Sequence, residues 1–207
     1  MKASMMKLGV FVMMAAIAMF TLVAMASAGG QTIHGTYAVV GSAQCAMSFM
    51  GVDPNSLLPN GGGSFSPGPV TYYDGVYTFS PNGRGSASLT GKGFNSAGGP
   101  TDPVGGWVQQ WEYDFTYKVN DRGEITFSTI AGSDTSTTIQ GPGTGAPAFE
   151  LSTGPQQGNI SPDGNLLLIH CGAPVTISIV NATDFGLPPD AELLCNITLN
   201  GFKQWPR

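Results

Sequence analysis

Charge is scarce in this chain: eight basic and 13 acidic residues in 207, 10% of the sequence, give a net charge of −5 at pH 7. So acidic a balance excludes the basic surface that phosphate backbones and anionic membranes attract, and no nucleic-acid partner is expected. Histidine is scarcer still. His34 and His170 stand far apart, and neither has a second histidine or a carboxylate at a metal-ligand spacing, so no metal or other cofactor is expected. A Gly-x-Ser-x-Gly elbow, a phosphate-binding Gly-Lys-Thr loop and an acidic calcium loop are all missing, which leaves hydrolase and nucleotide-binding readings without support.

Long apolar runs are also few. Lys2 and Lys7 precede one, Leu8 to Met25, and Ala26-Ser27-Ala28 then offers small residues ahead of Gly29-Gly30. That order predicts a signal peptide over residues 1–28 and an exported chain, secreted or periplasmic. About 18 apolar residues can also span a bilayer, so an uncleaved anchor is the alternative. No cysteine stands at the expected cut, which disfavours a lipoprotein. The remaining residues 29–207 suit a single domain, and they keep six basic residues against 13 acidic, a net charge of −7. No second run in them is long and apolar enough for a membrane-spanning helix.

What is abundant is glycine, 30 residues, together with serine and threonine. Three tetrads, Ser80-Pro81-Asn82-Gly83, Asn120-Asp121-Arg122-Gly123 and Ser161-Pro162-Asp163-Gly164, are each flanked by alternating apolar and polar residues. Asn-Gly and Asp-Gly supply the left-handed conformations of tight hairpins. The first hairpin joins Val70–Ser80 to Gly85–Phe94, and the third joins Gly158–Ser161 to Asn165–Cys171. Between them, Trp107 to Val119 alternates most clearly, with Trp107, Gln109, Trp111, Tyr113, Phe115 and Tyr117 on one face and Glu112, Asp114 and Lys118 on the other. Fully extended it would measure about 44 Å, long enough to predict a bulge near Gln109-Gln110. Its return is Glu124–Ile130.

Further strands are expected at Thr32–Val40, with Cys45–Met50 as a continuation, and at Thr135–Gln140, Phe149–Thr153, Val175–Val180 and Ala191–Phe202. Gly51–Pro69 reads as a long loop or lid, and Asn95–Gly106 as a second loop. Nine or ten strands with no convincing helix predict an all-β antiparallel meander. An up-and-down barrel is favoured over a β-sandwich, because closure removes exposed edges.

Three cysteines in an oxidising compartment imply one disulfide and one spare thiol. In a closed meander the first and last strands are neighbours, which favours Cys45 with Cys195. Cys171 with Cys195 is the rival pairing.

His34-Gly35-Thr36-Tyr37, Cys45, the run from Phe79 to Gly85, Ser161 to Gly164 and Leu194-Cys195-Asn196 together resemble a group of uncharacterised exported bacterial proteins. Gly35-Thr36-Tyr37 is also similar to the Gly-x-Trp of lipocalins and other calycins, with Tyr in place of Trp and without an arginine placed to cover the ring, since Arg207 lies too far along. That second resemblance implies a barrel holding a small apolar ligand.

Function is therefore expected from the aromatic row. Tyr73, Trp107, Trp111, Tyr113 and Phe115 are the candidate lining for a small apolar or aromatic ligand in a non-enzymatic barrel, with core packing of the same rings as the plain alternative. A structural or surface-interaction module of the cell envelope is the second reading. A barrel isomerase or cyclase, the third, would need His34 or His170 to face a cavity beside Glu112 or Asp114. His170-Cys171 is a poor nucleophile pair, because adjacent strand residues point to opposite faces.

Overall fold

The three tetrads set the sheet. Gly83, Gly123 and Gly164 all have positive φ, 78°, 77° and 71°, a region glycine enters without a Cβ clash. Each donates its N–H to the carbonyl three residues back, Gly83 to Ser80 at 3.2 Å, Gly123 to Asn120 at 3.0 Å and Gly164 to Ser161 at 2.8 Å. The computed structural model describes residues 33–94, 106–141, 150–151, 156–171, 174–179, 182–185 and 187–205. The expected signal peptide, the loop from Asn95 to Gly105 and Arg207 lie outside them. Among the described residues there is no α-helix, only two 3-10 turns at Asn60–Gly62 and Ala182–Phe185.

The strands are β1 (Gly35–Ser48), β2 (Ser66–Ser80), β3 (Arg84–Phe94), β4 (Gly106–Val119), β5 (Glu124–Thr129), β6 (Thr135–Gln140), β7 (Glu150–Leu151), β8 (Gln156–Ile160), β9 (Leu166–Cys171), β10 (Val175–Ser178) and β11 (Glu192–Lys203). Eight of them form a closed antiparallel up-and-down barrel in the order β1-β2-β3-β4-β5-β8-β9-β11, with β11 returning to β1. The sandwich alternative is thereby excluded. The other three are excursions: β6 pairs with β4, β10 with β11, and β7 with β10.

These excursions explain the two long strands. β4 pairs with β6 over Val108–Glu112 and with β5 over Phe115–Val119. In the same way β11 pairs with β10 at its start and with β9 at its end. The irregularity expected in β4 is a register shift between Val108 and Gln109 against β6.

Two expectations about the first third of the chain need correction. β1 runs unbroken through Gly41–Gln44, where a Cβ on Gly41 would lie 2.0 Å from the Thr198 carbonyl oxygen. β2 starts at Ser66, not Val70, pairing Ser66 and Pro67 with Met47 and Ala46 past a bulge at Cys45. The prolines are tolerated because, among the described residues, β3 pairs with β2 only as far as Val70, so that past it a proline removes no N–H from that ladder.

The barrel seam is covalent. Cys45 and Cys195 face each other in the β1–β11 register and form the disulfide, with Cα atoms 4.1 Å apart, while Cys171 is a free thiol. It closes a loop of sequence separation 150. Replacing both cysteines with alanine is expected to destabilise the fold by roughly 3–5 kcal/mol, measured by urea unfolding against the oxidised parent.

Inside the barrel, glycine and ring are paired across strands. Gly85 stands opposite Phe115, and a Cβ there would meet the Phe115 ring at 2.4 Å and the Thr78 carbonyl oxygen at 2.5 Å. Gly85→Ala should therefore cost about 1–3 kcal/mol by overpacking, read as a lower melting temperature with an unchanged far-UV spectrum.

Candidate functional site

The period-2 pattern of β4 places its aromatic face inward and its charged face outward. Tyr113, Phe115 and Tyr117 are buried, while Glu112, Asp114, Thr116 and Lys118 are exposed. Tyr73, Tyr77 and Phe79 on β2 and Phe127 on β5 join them. The rings pack on one another: Phe79 to Tyr117 at 5.1 Å between centroids, Phe79 to Phe115 at 5.4 Å, Phe115 to Phe127 at 5.5 Å and Tyr77 to Phe115 at 5.6 Å. Edge and tilted contacts at these spacings are the preferred geometry of packed aromatics.

Hydroxyls close the turn-bearing end. Tyr37, fully buried, donates to the Gly164 carbonyl at 2.6 Å and meets Phe79 edge-on. The Tyr117 hydroxyl lies 2.7 Å from the carbonyl oxygens of both Ile33 and Ser80. Midway up, the Tyr77 and Tyr113 hydroxyls bond to each other, and the Gln156 side chain also bonds to Tyr113. The other end of the interior is more polar. Thr71, Gln109, Ser136 and Thr138 are buried there, and Gln109 accepts the Trp111 indole N–H at 3.3 Å. Among the described residues, the hydroxyls of Ser136 and Thr138 have no hydrogen-bond partner.

Of the five candidate ligand residues, Tyr73, Trp111, Tyr113 and Phe115 share this interior, with Tyr73 and Trp111 rings 5.8 Å apart. Trp107 is half-buried near the start of β4, its ring lying across Gly93 of β3. The acid-base candidates are not brought together. His34 is exposed, and His170 sits on the outer face of β9, with Nε2 3.4 Å from the Asn159 amide nitrogen. Glu112 and Asp114 point outward from β4, with β5 and β8 standing between it and β9 on the shorter path round the barrel. Cys171 turns inward, away from His170; burial raises its pKa, partly offset by a hydrogen bond from the Ile197 N–H. No group of three or more His, Cys, Asp or Glu side chains able to hold a metal occurs among the described residues.

The feature missed in the sequence is on the outside. The wall formed by β3, β4 and β5 presents Ser86, Ser88, Thr90, Lys92, Glu112, Asp114, Lys118, Glu124 and Thr126, and Lys92 pairs with Asp74 of β2 at 2.8 Å. The opposite wall presents Leu166, Leu168, Phe202 and Val40, all exposed. A depression of about 380 Å³ lies there, lined in part by Leu166, Leu168, Asn200 and Phe202. The available signal was the unbroken run Leu166-Leu167-Leu168-Ile169, in which both faces of a strand are apolar.

No family model and no curated protein matches the chain. Two solved structures resemble it. One is the surface protein NspA of Neisseria, at 10% identity and a TM-score of 0.48, covering 84% of this chain and all of that one. The other is Ail, the attachment invasion locus protein of Yersinia pestis, at 8% identity and 0.47, covering 83% of this chain and 99% of that one. The likeness is one of fold.

The expectation of a lipocalin-like carrier of a small apolar ligand is corrected by the structure itself. Its physical ground is the packing: Tyr77, Phe79, Phe115 and Phe127 occupy the space a ligand would need. Burial also holds these phenols neutral. Desolvation raises the pKa of Tyr37 and Tyr113 to about 12, and raises that of Tyr73 and Tyr77 too. A group whose proton is held more tightly folded than unfolded loses stability as pH rises through the unfolded value, about 10 for tyrosine. Urea stability should accordingly fall between about pH 9 and 12, with a step in phenolate absorbance coinciding with unfolding.

Proposed function

We propose that this chain is an exported, non-enzymatic barrel acting as a structural or surface-interaction module of the cell envelope, with its outer wall as the working surface. The observation that carries the reading is the polarity of the barrel. Aromatic and aliphatic side chains crowd one end of the interior and buried polar ones the other, while the outside carries a charged, hydroxyl-rich wall and, across from it, an apolar patch.

A barrel that spans a membrane turns an apolar band about 25 Å tall toward lipid. Asp74, Lys92, Glu112 and Asp114 stand on the outer wall at mid-barrel height, where such a band would have to pass. The module is thus a water-facing one, held at the envelope by contacts and not by insertion. Export is supported by the predicted signal peptide, and an oxidising compartment by the Cys45–Cys195 disulfide. The resemblance of its short motifs to exported bacterial proteins points the same way.

Fractionation of the exporting bacterium tests this. The protein is expected in the envelope fraction with Gly29 as its N-terminus, and a carbonate or urea wash without detergent should release it. Recovery solely in the culture medium would contradict the envelope role, and a requirement for detergent would contradict the water-facing wall.

A further inference from the structure

We propose that the outer wall built from β9, β11, β1 and β2 is a self-association surface that seats a second copy of this chain across a two-fold axis. The inference deepens the envelope-module reading and rests on it only in taking the outer wall as the working surface.

The ladder registers make the patch contiguous. Leu166 pairs with Phe202, Phe202 with Ala38, and Ala38 with Val76; one rung further, Leu168 pairs with Asn200, and Asn200 with Val40. These side chains share the outer face, because Leu167, Ile169, Leu199, Val39 and Tyr77 between them are buried inside. Leu166, Leu168, Phe202 and Val40 are 51%, 37%, 57% and 55% exposed, together roughly 350 Å² of apolar surface, within the range of a monomer's largest apolar patch, which is often a functional one. A stable dimer takes about 800 Å² from each partner, as an apolar centre with a polar rim. Asn159, Gln157 and Thr198 supply that rim here.

The choice of occupant follows from charge. A two-fold interface sets a surface against itself, so any charge near its centre meets its own sign. The two rungs carry no charged side chain except Asp74 at the margin. Asn200, at the centre, has an amide that both donates and accepts and so can pair with its own copy. In the ring of eight strands β4 lies diametrically opposite β11. Glu112 and Asp114 on β4 are therefore as far from the contact as the barrel permits, which lets two acidic chains meet with the least repulsion. A basic partner would be drawn to that far wall instead.

Sedimentation equilibrium on the mature disulfide-bonded protein tests the proposal with Leu168→Glu, Phe202→Glu and, on the opposite wall, Thr126→Glu. The parent and Thr126→Glu should be dimers at tens of micromolar. Leu168→Glu and Phe202→Glu should raise the dissociation constant at least about 100-fold, because each buries an unpaired charge, while leaving the melting temperature near that of the parent. A parent that stays monomeric throughout, or a dimer untouched by both glutamates, would overturn the proposal. A monomer that still fractionates with the envelope would overturn this inference alone, whereas a glutamate-sensitive dimer found only in the medium would sustain it and overturn the envelope reading.

Discussion

The contact between the first strand and the last is the constraint on which the rest of this structure depends. β1 and β11 run antiparallel from Tyr37 opposite Lys203 to Ser48 opposite Glu192, and Cys45 bonds to Cys195 within that ladder. Once the seam is closed, eight strands enclose an interior that side chains can fill or that can hold one small ligand, and here side chains of β2, β4 and β5 crowd it. The inward positions of every strand must then share one small volume. Rings on β2, β4 and β5 do so by meeting edge to face, and glycines such as Gly85 and Gly93 give up their side chains so that Phe115 and Trp107 can lie across the neighbouring strand.

Closure also decides where activity can reside. Among the described residues the interior is packed by Tyr77, Phe79, Phe115 and Phe127, and its phenols are held neutral by burial. Nor do the outward-facing Glu112, Asp114 and His170 converge on one another. The outer wall is unequal: charged and hydroxyl-bearing over β3 to β5, with an apolar patch of Leu166, Leu168, Phe202 and Val40 where β9, β11 and β1 meet.

Much of this was legible from the residues. Turn chemistry placed the three glycine tetrads, and alternation placed the aromatic row of β4 on one face. The neighbourhood of first and last strands pointed to Cys45 and Cys195. Three features were not legible, each for a physical reason. Whether an aromatic row lines a cavity or fills one depends on what stands across the barrel, and no single strand's pattern contains that. Pro67 and Pro69 read as loop because the reach of the β2–β3 ladder, which among the described residues stops at Val70, is set by pairing between strands and not by the local pattern. The apolar outer wall is assembled by register, from Leu166, Phe202, Ala38 and Val40 on strands far apart in the chain, so each residue taken alone looked like an ordinary strand position.

The most direct measurement of the central claim, that the interior is filled and the wall is the working surface, is native mass spectrometry of the protein purified without detergent from its exporting host, followed by its denatured intact mass. The account predicts that each subunit carries only the mass of its own polypeptide in both states. An additional small-molecule mass that is present natively and leaves on denaturation would contradict it.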